Sequence, residues 1–281
     1  MNAVPNRPSV TWPVAGRAGD TAAKNWMGNG AFSDHATVYW DLTQRPASPL
    51  GASATQFGED LQAFVKSRSA VVGTDVPMIV QTTACGIYYR TKTGGGAYKP
   101  GIDELIAPGV GPVQVSQQIM GAVALGASGI RTYAYDDWWK TERTVQQPNG
   151  KDLQIGTDPF GTGPRRWAAI SAAFNTIAQI EPHLLQPKMN TIDLGEKFVT
   201  GARQGPNSRV LMAVNNSDIA QTPTIDLSPY TYAGGKVTVY RVSGKVATSA
   251  RMSVDEASNV TFTPGNAIVW LFEPAPVPAV G

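Results

Sequence analysis

Apolar positions follow two alternating patterns along the first two thirds of the chain. Short apolar and β-branched runs, such as VPMIVQT at residues 76–82, are typical of strands buried on both faces of a parallel sheet. Between these runs the apolar residues recur every three or four positions, as at Val115, Ile119 and Val123, which predicts amphipathic helices. The predicted strands cover residues 9–14, 36–42, 76–82 and 129–135, and the helices that follow them cover residues 21–27, 54–67, 112–127 and 164–180. Four strand–helix units in succession imply a parallel sheet with right-handed crossovers.

Two segments of this first part carry more specific predictions. The Gly- and Tyr-rich segment 86–100 contains a triple glycine and is predicted to be a loop. In the last helix the apolar spacing predicts a buried face made by Trp167, Ile170, Phe174 and Ile177. Pro164 is predicted to open this helix and Pro182 to close it.

Beyond Pro187 the helical spacing disappears. Short β-prone runs (FVTGA, RVLMAVNN, KVTVYRV, NVTFT and AIVWLFE) are separated by Gly, Asn and Pro, and this pattern predicts a small antiparallel β-sandwich. We therefore expect a β/α domain at residues 1–187, a β-sandwich at 188–275 and a Pro-rich tail at 276–281.

Composition and charge narrow the choice of partners. The chain of 281 residues is 42% hydrophobic, which is enough for a sizeable core. Its formal net charge of +2 is too small for a general binder of nucleic acid or of an anionic membrane surface. It also lacks the continuous apolar run of about 18 residues that a membrane-spanning helix needs. We expect no nucleic-acid partner and no membrane partner.

Cysteine and histidine are scarce. A single cysteine, Cys85, excludes an internal disulfide framework and is expected to be a buried thiol. Only two histidines are present, His35 and His183, so a His-rich metal site is improbable. We expect no bound metal and no cofactor. The N-terminus shows no signal peptide, which leaves two alternatives for localisation: a cytoplasmic protein, or a secreted one whose N-terminal start lies outside this chain.

Four runs of the sequence carry a family resemblance: QQIMGAVALGASGIRTYAYDDWW, RRWAAISAAFNTIAQIEPHLLQP, SRVLMAVNNS and AIVWLFEP. The first two resemble the end of a glycoside hydrolase (β/α)-barrel, and the last two are similar to the C-terminal β-sandwich of such enzymes. The resemblance implies an α/β plus all-β fold: a half TIM-type barrel of about four β/α units, followed by a small antiparallel β-sandwich. In this alignment GIRTYAY is the eighth barrel strand, and strands one to four lie outside the chain.

The same resemblance implies a departure from the usual catalytic pair. Retaining enzymes of this kind carry the general acid/base on the fourth strand, which lies outside this chain, and a nucleophilic Glu on the seventh. The seventh strand would be VPMIVQT, where Gln81 occupies the end position.

Working residues of a β/α barrel lie at the carboxyl ends of its strands. Asp41, Asp136 and Asp137 are the carboxylates at these predicted ends, and glycosidic cleavage requires two carboxyl groups that flank the bond. An Asp beside a Trp in a partly dry cleft has a raised pKa, which suits a general acid. The alternative is that Asp136 and Asp137 cap a turn through nearby backbone N–H groups.

Aromatic residues cluster at the same predicted strand ends. Sugars stack their C–H faces on aromatic rings, while their hydroxyls bind carboxylate and amide groups, so this combination indicates carbohydrate binding. The candidate substrate-binding residues are Trp12, Trp40, Gln81, Tyr135, Trp138 and Trp139. The alternative is that the tryptophans belong to the core.

Three hypotheses remain open from the sequence. The first is a hydrolase of an oligo- or polysaccharide that uses acid/base catalysis. The second is a non-catalytic carbohydrate-binding or structural module derived from such an enzyme, which Gln81 favours. The third is that a half-barrel pairs with another copy or with a separate N-terminal half, because its sheet edges are open.

Overall fold

The computed structural model describes residues 10–13, 36–39, 62, 65, 78–83, 86–90, 104–107, 111–133, 143–146, 152–156 and 163–275. The strands are β1 (Val10–Pro13), β2 (Ala36–Tyr39), β3 (Met78–Thr83), β4 (Gly86–Arg90), β5 (Glu104–Ala107), β6 (Gly129–Tyr133), β7 (Arg143–Gln146), β8 (Asp152–Gly156), β9 (Phe198–Gln204), β10 (Arg209–Asn215), β11 (Lys236–Ser243), β12 (Val246–Met252) and β13 (Ala267–Glu273). The helices are α1 (Pro112–Ala124), α2 (Gly163–Leu184) and the short α3 (Val254–Ser258), with a 3₁₀ turn at Ser228–Tyr230.

Packing divides the chain into two compact units. The first contains Met1–Gly111 and Gly126–Pro164, and the second contains Pro112–Leu125 together with the chain from Arg165 onward. The second unit is therefore discontinuous in sequence. The boundary predicted after Pro187 stays a prediction.

The first unit contains the predicted parallel sheet. Its strand order is β1-β2-β3-β6, and every neighbouring pair is parallel. All four strands predicted from the apolar runs are confirmed as strands, each within a few residues of the expected bounds. At the centre of the sheet Val80 is fully buried, as expected for a strand covered on both faces.

The first unit also contains an antiparallel sheet that the sequence did not predict. Its strand order is β5-β4-β8-β7. Strand β4 lies inside the segment predicted to be a loop, and that prediction was wrong for Gly86–Arg90. The run Ile87-Tyr88-Tyr89 consists of residues with high β-propensity, which outweighs the flanking glycines.

The second unit is built on a five-stranded antiparallel sheet in the order β12-β11-β13-β10-β9. Strands β10 and β13 are buried along almost their whole length, on both faces. One face packs into a core of large fully buried side chains, including Trp270, Tyr230 and Phe262. Within residues 163–275, the elements that pack against this face of the sheet are loops, the 3₁₀ turn and α3.

In this unit one strand prediction was wrong, and one strand was not predicted. NVTFT, at residues 259–263, was predicted to be a strand, but Phe262 forms only an isolated bridge with Gln221. Strand β12 was not predicted, because its residues are exposed on both faces and show no apolar alternation. A strand that is exposed on both faces has no alternation of apolar and polar residues, so its sequence does not identify it as a strand.

Helix α1 covers the second face of this sheet and lies against β9, β10, β11 and β13. Gly201 allows the close approach, because a Cβ there would overlap the carbonyl oxygen of Ala124. The Gln117 side-chain amide donates a buried hydrogen bond of 3.0 Å to Oδ1 of Asn216. The predicted helix 112–127 is confirmed over Pro112–Ala124.

Helix α2 buries only part of the face that the sequence predicted to be buried. Ile170 is buried, whereas Trp167 is 41% exposed and Phe174 is 37% exposed. The helix also buries the small side chains of Ala169, Ala172 and Ala173. The apolar spacing therefore identified the helix but only part of its buried face. Pro182 lies inside the last turn instead of closing the helix, which runs on to Leu184.

Candidate functional site

The candidate site is the carboxyl edge of the parallel sheet in the first unit. Because β1, β2, β3 and β6 are neighbours and all run in the same direction, their carboxyl ends share one edge. Neighbouring strands lie about 4.8 Å apart. The chain segments that follow these four strands therefore begin next to one another along a single sheet edge. A ligand site needs such a group of adjacent residues.

Strand register fixes which residues are neighbours along that edge. Tyr39 of β2 is paired with Gln81 of β3, and Gln81 is paired with Arg131 of β6. One step closer to the edge, Thr82 is paired with Thr132. The backbone of Gln81 is therefore flanked on both sides by strands whose following segments carry the predicted site residues.

Two of the nine predicted site residues lie in the described strands. Trp12 is in β1 opposite Val38 of β2, and Gln81 is in β3. The other predicted site residues lie outside the described residues: Trp40, Asp41, Tyr135, Asp136, Asp137, Trp138 and Trp139. In the sequence, Trp40 and Asp41 follow directly after the last residue of β2, and Tyr135 begins two positions after the last residue of β6. Cys85, the expected buried thiol, also lies outside.

Thr82 is a polar residue of this edge that the predicted site residues do not include. It lies one residue before the end of β3 and is fully buried. Its hydroxyl has no hydrogen-bond partner among the residues that the structure describes. An unpaired buried hydroxyl costs about 1–3 kcal/mol, so a group that bonded to it would recover that free energy. Its position at the strand end was visible in the sequence, but its burial was not.

Other kinds of site were also considered. In the described part of the chain, His, Cys, Asp and Glu do not gather into a group of three or more that could hold a metal ion. The helices described there include none that is long and apolar enough to cross a membrane.

Comparison with known proteins gives structural likeness only. No protein-family model matches the sequence, and no curated protein has a detectably similar sequence. Among solved structures, the chain is similar to an Anoxybacillus α-amylase described as representing a new glycosyl hydrolase subclass, with 11% identity and a TM-score of 0.45. It is also similar to a Geobacillus thermoleovorans α-amylase complexed with acarbose, with 10% identity and a TM-score of 0.48. A third is AmyP in complex with maltose, with 10% identity and a TM-score of 0.47.

These alignments cover most of this chain but only part of each solved structure. They include 86%, 90% and 92% of this chain, against 48%, 57% and 61% of the three solved chains in the same order. The chain thus spans about half the length of the first two structures, which are glycoside hydrolases.

Proposed function

We propose that this protein is a carbohydrate-active protein of the glycoside hydrolase type, and that the carboxyl edge of its parallel sheet binds an oligo- or polysaccharide. The observation that carries the proposal is the order β1-β2-β3-β6 with uniform parallel pairing. This order gives the two segments richest in Trp and Asp, Trp40-Asp41 and Tyr135–Trp139, a common starting edge on either side of β3. Strand ends of this kind are where β/α folds carry their chemistry.

The proposed reaction is acid/base-assisted hydrolysis of a glycosidic bond. Asp137, Asp136 and Asp41 are the proposed carboxylates, of which one protonates the leaving oxygen and another acts as nucleophile or activates water. A separation of the two carboxyl groups of about 5 Å would retain the anomeric configuration, and one of about 6.5–9.5 Å would invert it. Trp12, Trp40, Tyr135, Trp138 and Trp139 are proposed to stack on the sugar rings, and Gln81 to bind their hydroxyls.

A second candidate function is carbohydrate binding without catalysis. It is favoured by Gln81, which stands where the resemblance implies a nucleophilic Glu. A neutral amide can bind a sugar hydroxyl but cannot form a glycosyl ester or give up a proton at ordinary pH. In this case the aromatic platform would remain and the chemistry would be lost.

The finer architecture belongs to the same proposal. The β1-β2-β3-β6 sheet would be half of a (β/α)-barrel, completed by another copy or by a separate N-terminal half. The residues after Lys188 would be its β-sandwich domain. An exposed edge strand presents unpaired N–H and C=O groups with which another strand can pair, which is the physical reason for proposing a completing partner.

The first test is reducing-sugar release from a broad panel of polysaccharides and aryl glycosides. We expect release by the wild-type protein, and a loss of about a hundredfold or more in Asp137→Asn, as is usual when a general acid or base is removed. Asp218→Asn is the matched control, because Asp218 is an exposed residue of the second unit. It should leave the rate unchanged.

The outcomes separate the two candidate functions. No release by folded wild-type protein, together with calorimetric binding of one oligosaccharide of the panel, would establish the binding module and overturn the hydrolase. Neither release nor binding across the panel would overturn both. If Asp137→Asn still released reducing sugar, the next variants to test would be Asp136→Asn and Asp41→Asn. Activity in all three variants would refute the proposed carboxylates.

A further inference from the structure

The two edges of the five-stranded sheet differ in how they are covered. At the β9 edge the chain itself supplies an additional bonded segment: the Met189 N–H donates to the Ala202 carbonyl at 3.2 Å, and the Gln204 N–H donates to the Pro187 carbonyl at 3.0 Å. At the opposite edge, residues 246–251 of β12 are all exposed, and the Val246 side chain is 54% exposed. In the described part of the chain, no backbone hydrogen bond reaches the outer side of β12.

The outward-facing groups of β12 follow from its hairpin. The loop between β11 and β12 has two residues, Gly244 and Lys245, and its closing pair is Ser243 with Val246. A turn of this size joins the carbonyl of its first residue to the N–H of its fourth, so Val246 bonds inward to β11. Because bonded and non-bonded pairs alternate along an antiparallel ladder, Ala247, Ser249 and Arg251 present their N–H and C=O groups outward.

This edge lacks the usual protection against pairing. Natural edge strands are blunted by proline, by bulges or by several charged side chains. Strand β12 contains no proline and one charged residue, Arg251, and its register with β11 is uninterrupted. The hairpin is also held in place, because the Gly244 N–H donates a buried hydrogen bond of 2.9 Å to the Ser116 hydroxyl of α1.

We propose that β12 is a homodimer interface, at which two copies of this chain pair antiparallel around a two-fold axis at Ser249. In this register Ser249 of one chain pairs with Ser249 of the other, and Ala247 of each chain pairs with Arg251 of the other. The outward N–H and C=O groups of all three residues are then hydrogen-bonded between the chains. Val246 faces Met252, so the exposed Val246 side chain of each copy is covered by the partly buried Met252 of the other. The two sheets become one continuous sheet.

The charge pattern of β12 fits pairing with a second copy about Ser249. An interface on a two-fold axis must be self-complementary, and pairing about Ser249 places neither arginine opposite another cation. Pairing about the neighbouring Thr248 would instead bring Lys245 opposite Arg251, and like charges directly opposite are destabilising. The seven-residue strand is short, so we expect a weak dimer with a dissociation constant on the order of micromolar or above.

The test is sedimentation of the full chain over about 1 µM to about 1 mM, with two substitutions of opposite charge at one exposed position. Ala247→Glu places a carboxylate opposite Arg251 of the second copy, and Ala247→Lys places a cation there. Within its own chain residue 247 faces Val242, so neither substitution gains a charged cross-strand partner. We expect roughly two- to fivefold tighter dimerisation for Ala247→Glu and correspondingly weaker dimerisation for Ala247→Lys at low salt.

Two further variants complete the test. Ser249→Pro removes an outward N–H and should abolish the dimer while leaving thermal unfolding of the monomer nearly unchanged, since proline is tolerated on the open side of an edge strand. The charge exchange Ala247→Lys with Arg251→Glu should restore dimerisation lost in Ala247→Lys. A chain that stays monomeric at the highest concentration, a dimer that persists in Ser249→Pro, or shifts of the same sign for Ala247→Glu and Ala247→Lys would each overturn the proposal.

Discussion

Two glycines of the second unit differ in secondary structure and in how much space surrounds them. Gly201, in the middle of β9, faces the last carbonyl of α1, and a Cβ at this position would overlap the Ala124 oxygen. Gly121 lies within α1, and among the described residues no atom outside the helix's own backbone is within 4 Å of the position a Cβ would take. We predict that Gly201→Ala destabilises the protein by about 1–3 kcal/mol through overpacking. Gly121→Ala should stabilise it by about 0.5–1 kcal/mol, because alanine restricts the unfolded chain and favours the helix.

Urea unfolding of both variants measures these changes. An equal effect of the two substitutions would show that helix α1 does not approach β9 as closely as described. At this scale the sequence was a poor guide, because neither glycine stands out in the sequence from the other 27. Trp167 is a similar case: its spacing indicated the core, yet a side chain's surroundings depend on which face of α2 meets the rest of the protein.

Helix α1 and the β11–β12 hairpin are joined by one buried hydroxyl. Ser116 Oγ accepts from the Gly244 N–H at 2.9 Å and donates to the Val113 carbonyl at 2.8 Å. We predict that Ser116→Ala lowers the free energy of unfolding by about 1–3 kcal/mol, because the Gly244 N–H is left buried without a partner.

The control is Thr176→Val in α2. Thr176 is also buried, and its hydroxyl donates to the Ala172 carbonyl at 3.1 Å inside its own helix. Losing this bond leaves no backbone donor unpaired, so we expect a smaller change, below about 1 kcal/mol. Urea unfolding, with hydrogen exchange of the Gly244 amide as a second readout, checks both. If Ser116→Ala were no more destabilising than Thr176→Val, the Ser116–Gly244 bond would not hold the hairpin to α1.

Strands were predicted well where their burial produces an apolar pattern in the sequence, and poorly where they are exposed and show no such pattern. VPMIVQT and AIVWLFE are continuous apolar runs, and the strands β3 and β13 formed by them each contain fully buried residues. The run alone does not distinguish a parallel from an antiparallel strand, because covering both faces gives the same composition in either case. Strand β12 was missed for the opposite reason, since both of its faces are exposed to solvent.

At the scale of the whole chain, the domain boundary predicted from the sequence differs from the division of the chain into two packed units. The pattern change after Pro187 marks the start of the antiparallel strands, and a boundary there follows from reading the chain in order. The packing places α1 with those strands, although 73 residues of sequence (125–197) separate α1 from the first of them. Long-range packing of this kind has no signature in local spacing, because a helix shows the same apolar face whichever sheet it covers.

Two fragments decide between these divisions. Residues 188–281 alone would expose the face of the sheet that α1 covers, including Val210, Met212 and Val214, which are almost fully buried in the whole chain. We therefore expect this fragment to bind a hydrophobic dye and to unfold without a cooperative transition, whereas residues 112–281, which retain α1 and α2, should unfold cooperatively in circular dichroism. A cooperative transition in residues 188–281 would instead support the boundary after Pro187. Helix α1 would then be an addition to a domain that is already stable, and the glycine and serine contacts described above would contribute little to its folding.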